Sequence, residues 1–406
     1  MATSPGGAGL HRANSFVRNV LACVLLCAAT MPAATKKVIF PPGAKIAGPY
    51  SPGILAGGFL YVSGQGAKGP DGKFPASTRD QVRQCLDNVK TIVEAAGLTM
   101  QHLVYTQVYV PEPWNYEGID RAWTEYFGRN GPARAVLGIE RLPEDTPIEI
   151  NAVAVVDAAT RRGVWLPHPE YRLAEVPDAV MASGLLYLSG VPAGNPKDAL
   201  NRMSEVLMAA DMDFRNMVFV NPYLTSAVTY EEMNKAYAPL FEFGNTPARA
   251  TIQVVGPVPI QFTGVAIKDL ARRRAVRPKN MEPSPTASPC VFAGDILYCS
   301  AKSAFIPGPN SGVYASGVEE QVRMSFRNLL DGLEEAGMKL SDVVAANVYL
   351  DDIADFAKMN GVYKTYFAEA PPTRTTIQQV PPVKERKAND RGQWPDLEQI
   401  SFVAVR

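Results

Sequence analysis

Gly131-Pro-Ala-Arg134-Ala-Val136, Thr246-Pro-Ala-Arg249-Ala-Thr251 and Pro371-Pro-Thr-Arg374-Thr-Thr376 are three copies of one segment. The arginines fall 115 and then 125 residues apart, the sign of a unit written three times. Working upstream, each copy is preceded by a matching stretch: Leu55-Ala-Gly-Gly-Phe-Leu-Tyr-Val-Ser63, Met181-Ala-Ser-Gly-Leu-Leu-Tyr-Leu-Ser189 and Phe292-Ala-Gly-Asp-Ile-Leu-Tyr-Cys-Ser300. A glycine-bearing two-residue turn between apolar runs predicts a hairpin, because primed turns need positive φ.

An amphipathic helix is predicted after each hairpin. Val82, Cys85, Leu86, Val89, Ile92, Val93 and Ala96 share one face, and Gly97 ends the run. Val322, Phe326, Leu329, Leu330, Leu333 and Ala336 repeat this before Gly337; Leu200, Met203, Val206, Leu207 and Ala210 give a weaker version. Strands follow at Leu103–Val110, Met217–Leu224 and Val343–Leu350, then short aromatic-bearing helices near 115–127, 230–241 and 355–367. Two further strands close each copy, Ile148–Val156 being the clearest by alternation. The reading per copy is ββαβαββ, an α+β unit. Pro222 sits within the second copy's long strand and predicts an edge position or a bulge there. Three units result, 39–158, 165–270 and 283–406, joined by linkers over Ala159–Leu173 and Ala271–Pro285. Arg272, Arg273 and Arg274 in the second linker read as a solvated charge run.

Composition narrows the chemistry. The 406 residues carry 40 Lys+Arg and 40 Asp+Glu, so binding dominated by phosphate neutralisation is excluded. The three histidines, His11, His102 and His168, are scattered, which argues against a histidine metal site or a Ser-His-Asp triad. The five cysteines form no CxxC pair. Cys85 reads as core. Cys290 and Cys299 face each other across the third hairpin; two reduced buried thiols are the expectation and a disulfide the alternative. At the start, Arg12 and Arg18 precede the apolar run Val20–Ala29 and small residues at Ala33 and Ala34. That run is too short for a bilayer, which takes about 20 residues, and reads as a signal peptide over 1–34. The expectation is export, periplasmic or secreted, with a cytoplasmic protein if the segment is not a signal.

Gly48-Pro-Tyr-Ser-Pro-Gly53, Val62-Ser-Gly-Gln65, Gly131-Pro-Ala-Arg134 and Pro147-Ile-Glu-Ile150 occur in order within the first unit. In this the unit resembles the Rid family, the RidA/YjgF-type reactive-intermediate deaminases whose relatives are often called endoribonuclease-like. The other two units share the resemblance more loosely. It implies a chorismate-mutase-like fold and trimeric assembly, sheets inside and helices outside. Three fused copies then make a single-chain pseudo-trimer, a monomer with clefts between units. It also implies a 2-iminobutanoate/2-iminopropanoate deaminase-like hydrolase, which turns carboxylate-bearing enamines or imines into a 2-keto acid and ammonia. No metal or cofactor is needed, since an imine carbon is already electrophilic. No nucleic acid or membrane anchor is implied.

By the same resemblance Arg134, Arg249 and Arg374 match the carboxylate-binding arginine, a role suited to a planar, permanently charged fork. Glu149 matches the water-positioning glutamate and Tyr50 the cleft tyrosine; with Ser63 these are the expected catalytic residues. Ser189, Ser300, Asn234 and Asn360 complete the expected binding set. The copies differ. Gln261 and Gln399 stand where Glu149 does, Val176 and Ala287 where Tyr50 does, and Asp120 where the other units have asparagine. The family's cysteine after the arginine is replaced by Val136, Thr251 and Thr376. If Tyr50 and Glu149 reach one cleft, that cleft is the active one; if they part, no cleft is complete. The alternatives are a non-catalytic binder of small carboxylates and, more weakly, an endoribonuclease.

Overall fold

The computed structural model describes residues 36–44, 48–111, 115–167, 175–279 and 281–406. The leader expected over 1–34 and His168 lie outside the described residues. Among the described residues no helix is long and apolar enough to cross a membrane.

The first unit runs β1 (Lys37–Ile39), β2 (Gly53–Ala56), β3 (Phe59–Gly66), α1 (Thr78–Ala95), β4 (Leu103–Val110), α2 (Tyr116–Phe127), β5 (Ala133–Gly138) and β6 (Glu149–Val155). The second runs β7 (Arg162–Val164), β8 (Ala179–Ala182), β9 (Leu185–Ala193), α3 (Pro196–Ala209), β10 (Met217–Leu224), α4 (Tyr230–Tyr237), β11 (Ala248–Arg249), β12 (Ile252–Gln253) and β13 (Ile260–Ile267). The third runs β14 (Arg273–Val276), β15 (Cys290–Ala293), β16 (Ile296–Lys302), α5 (Val318–Glu335), β17 (Val343–Leu350), α6 (Phe356–Tyr366), β18 (Thr373–Gln378) and β19 (Glu398–Val405).

Local chemistry accounts for these elements. The hairpin turns carry positive φ at Gly57 and Gly58, at Ser183 and Gly184, and at Gly294. Ser77 caps α1 by accepting from the Asp80 N–H at 3.1 Å, and Gly97, at φ 78°, ends it. In each sheet the last two strands in spatial order are parallel, because a helix crosses between them; in the first unit the order is β1-β2-β3-β6-β4-β5.

Strand alternation divides each sheet between two cores. Leu60 and Val62 of β3 join Val82, Leu86 and Val89 of α1 in an outer core, whereas Phe59 and Tyr61 point the other way. There they meet Tyr187 and Val265 of the second unit and Val291 and Tyr298 of the third, in one central core. Sheets therefore line the middle and helices cover the outside, as three α+β units in a pseudo-trimer. Polar groups also cross the centre: Gln107 donates to the Tyr223 hydroxyl at 2.7 Å and Asn151 to the Thr375 hydroxyl at 3.0 Å.

Several expectations change. The two linkers each contain a strand, β7 and β14, so each unit gains a leading edge strand and the second and third begin earlier than 165 and 283. The reason is a cationic clip. Arg161 donates to the carbonyl oxygens of Leu103 at 2.7 Å and of Asn130 and Gly131. Arg273, expected in a solvated run, donates to the Met217 oxygen at 2.8 Å and to Asn245. Lys36 does the same for the third unit, at the Val343 oxygen (2.7 Å) and the Ala370 oxygen (2.9 Å), and so joins the first unit to the last. Pro222 is neither on an edge nor at a bulge: it pairs with Phe262 in β10, which has neighbours on both sides. Its missing N–H is felt by the parallel neighbour, split into β11 and β12 where the other units have one strand. Cys290 and Cys299, expected as thiols, are bonded as a disulfide: they are directly paired across β15 and β16, with Cα atoms 4.0 Å apart.

Candidate active site

The three seams are built alike. Each arginine lies at the start of its strand, and its backbone N–H donates to the serine of the next unit. Arg374 reaches Ser63 Oγ at 2.8 Å, Arg134 reaches Ser189 Oγ at 3.0 Å and Arg249 reaches Ser300 Oγ at 2.8 Å. Each hydroxyl proton is already spent on a carbonyl of its own unit: Ser51, Pro177 and Ser288 respectively. A hydroxyl that donates inward and accepts from the neighbour is a staple between units. Ser63 was expected among the catalytic residues, but its proton is committed, and the group positions Arg374 instead.

All three arginines are buried, at 3 %, 6 % and 5 % exposure for 134, 249 and 374. A buried cation needs compensation, so what surrounds each guanidinium decides its use. At the seam of units one and two, Arg134 Nη2 pairs with Asp120 Oδ1 at 2.5 Å and lies over the Trp123 ring at 4.9 Å. Val176 there joins the first unit's apolar core. This guanidinium is neutralised in place.

At the seam of units two and three, Arg249 donates to Asn234 Oδ1 at 2.7 Å and to the Tyr230 hydroxyl at 2.5 Å. The partners are neutral, so its charge remains. Gln399 turns away to donate to the Thr251 carbonyl at 3.1 Å.

At the seam of units three and one, Arg374 sits among three rings, 5.2 Å from Tyr50, 5.5 Å from Phe356 and 4.9 Å from Tyr363. Among the described residues it has no carboxylate partner, and its Nη1 is buried without a hydrogen bond. Asn360, the counterpart of Asn234, leaves Oδ1 equally unpartnered. Glu149, the first residue of β6, lies over Gly64, where an added Cβ would come within 1.8 Å of Oε1. The residue as a whole is half-buried, but desolvation pushes its carboxyl up to about 8 against the pull of Arg374. Burial also raises the Tyr50 hydroxyl, with Arg374 lowering it and Glu149 raising it again. Tyr50 and Glu149 of the first unit and Arg374 of the third thus share one seam and one field.

Three contributors were not read from sequence. Phe356 and Tyr363 stack on Arg374, and the aromatic-bearing helix was their only signal. Gly64 seats Glu149, as Gly190 seats Gln261, whose Oε1 lies 2.3 Å from a Cβ position there. In the third unit the matching residue is Ala301.

The fold defines three α+β units closed around one core within a single chain. The family model described as Endoribonuclease L-PSP matches residues 43–156, 176–260 and 279–386, and the chain belongs to that family, the one its motifs resemble. A RutC family protein of Pyrococcus horikoshii is 40 % identical over 122 residues, 29 % of this chain and 97 % of the relative. The 2-iminobutanoate/2-iminopropanoate deaminase of Escherichia coli K12 is 40 % identical over 112 residues, 27 % of this chain and 88 % of that enzyme. The solved YjgF gene product of E. coli is 38 % identical, with 30 % of this chain and 98 % of that one covered and a TM-score of 0.28.

Proposed function

We propose that the seam of units three and one hydrolyses carboxylate-bearing imines and enamines to a 2-keto acid and ammonia. The observation that carries this is the meeting of Tyr50, Glu149 and an Arg374 that has no carboxylate partner among the described residues. The deaminase named among the relatives supports the reaction class.

Arg374 takes the substrate carboxylate as a charge-assisted, two-point contact that replaces its missing counter-ion. Tyr50 covers the guanidinium and offers its hydroxyl to a water. The Glu149 carboxyl, protonated at neutral pH by its raised pKa, gives its proton to the imine nitrogen, or to the β-carbon of an enamine. The same carboxylate then takes a proton from the water as the C–O bond forms. Glu149 then gives that proton to the carbinolamine nitrogen, which leaves as ammonia, and takes up the hydroxyl proton as the C=O bond closes, so the carboxyl ends protonated as it began. Every proton has an owner and no redox step occurs.

The test is release of ammonia and keto acid from an imine generated by an amino-acid oxidase. Arg374→Met is expected to lower kcat/KM by roughly 10- to 100-fold, the worth of one charged hydrogen-bonded contact, while Arg134→Met stays near wild type. Equal losses in both, or none in either, would refute the assignment. Glu149→Gln is expected to lower the rate by about 10²- to 10⁴-fold. The wild-type rate is expected to fall as pH rises through about 8, where the carboxyl loses its proton.

A further inference from the structure

The seam of units two and three forms an open cavity of about 870 Å³, room for a whole metabolite. Arg249 and Thr251 of the second unit line it together with Lys302 and Gln399 of the third. Part of the wall is the segment 379–397 that joins β18 to β19, where the first unit has only 139–148 and the second 254–259. Arg386 pins that segment down, bonding Asp351 at 2.8 Å and also Asp355. This wall belongs to one seam of the three.

The cavity is cationic. Arg249 has only neutral partners, and Lys302 has neither a hydrogen bond nor an ion pair among the described residues. Burial lowers the Lys302 pKa. Three acids also line the space. Asp351 is spent on Arg386. Glu398 is pushed up to about 8 by burial, against the lowering effect of the hydrogen bond that Ser325 donates, and so is protonated at neutral pH. Asp396 is also raised by burial and is the one acid left to oppose an anion. The Thr251 hydroxyl is buried without a partner, a further unspent group. At this seam Gln399 and Ala287 stand where the first unit offers Glu149 and Tyr50, so the counterparts of that pair are missing.

We propose that this seam is a second site, which binds a small dicarboxylate between Arg249 and Lys302 and holds it without turnover. It does not depend on the deaminase reading, since no chemistry is asked of it.

The experiment is calorimetric titration of the full chain carrying Arg374→Met, which removes the anchor of the other seam. The probes are 2-oxoglutarate, with two carboxylates, and 2-oxobutanoate, with one. One equivalent of 2-oxoglutarate is expected to bind. Adding Lys302→Met is expected to weaken it at least tenfold and to leave 2-oxobutanoate within twofold. Adding Arg249→Met is expected to abolish both. Lys302→Met exchanges a buried, unpaired ammonium for an apolar chain of similar length, so its melting temperature should hold or rise. The proposal is overturned if 2-oxoglutarate fails to bind the Arg374→Met chain, or if Lys302→Met weakens both probes equally. Failure of the deaminase assay on the wild-type chain would leave these titrations readable, so the two ideas fail separately.

Discussion

Three arginines with nearly the same sequence around them have three electrostatic fates, and a single neighbour on the preceding helix marks each. Asp120 neutralises Arg134, Asn234 orients Arg249 while leaving its charge, and Asn360 makes no hydrogen bond to Arg374, whose Nη1 has no partner among the described residues. Asp120→Asn should therefore uncover Arg134 and add a site for monocarboxylates: calorimetry with 2-oxobutanoate is expected to count one more equivalent than wild type. An unchanged count would show that Val176 and the apolar wall, not the ion pair, close that seam. Gly64 is set by the carboxyl above it, because no side chain fits beneath Glu149. Gly64→Ala is expected to displace Glu149 and lower the deaminase rate at least tenfold, as misplacement of a reacting group does. Glu149 and Glu398 share a pH signature. Both are held near 8 in the fold against 4.5 when free, so the folded state keeps two protons that the unfolded chain has lost. Stability should fall as pH rises from about 4.5 to about 8 and level off above it, and the double variant Glu149→Gln, Glu398→Gln should flatten that slope in thermal melts.

Strands and helices were legible where a single period governed them. The long strands Leu103–Val110, Met217–Leu224 and Val343–Leu350 form over the residues their pattern marks, since each is buried on both faces and bounded by polar or turn residues. The short leading strands were not legible, because three or four residues carry no period and are held by a clip from Arg161 or Arg273 rather than by their own pattern. The third hairpin shows how register turns into covalent structure. Cys290 and Cys299 pair directly, and α5 closes over them at Gly332, where an added Cβ would lie 2.9 Å from the Cys290 sulfur. Replacing both cysteines by alanine should cost about 2 to 3 kcal/mol from loop closure, seen as a lower denaturation midpoint. A midpoint equal to wild type would show that the helix alone holds the hairpin. The serine staples are a second device at this scale. Ser63→Ala leaves the buried Arg374 N–H without an acceptor and should cost about 1 to 3 kcal/mol.

Fusing three units into one chain turns seams that would otherwise join separate molecules into internal surfaces. The melting temperature is therefore expected to be independent of protein concentration, where a trimer of separate units would melt higher when concentrated. Lys36 does for the third unit what Arg161 and Arg273 do for the first and second, and it brings the start of the described chain onto the last unit. Covalent continuity also releases the three seams from having to be identical. One is filled by an ion pair, one holds Arg374, without a carboxylate partner among the described residues, beside Glu149, and one opens into a cavity walled by a segment that only the third unit carries.

The order of residues along the chain was enough to establish three α+β units, their hairpins and outer helices, because those features follow from local periods and turn chemistry; the family resemblance rested instead on four short motifs in order. It was also enough to see that only the first unit carries both Tyr50 and Glu149. It did not reveal that both face Arg374 from the far end of the chain, nor that Arg134 is matched by Asp120, nor that Ser63 is a staple. Those are contacts between units, set by how three sheets close around a common core, and a charge's availability depends on what that closure places beside it.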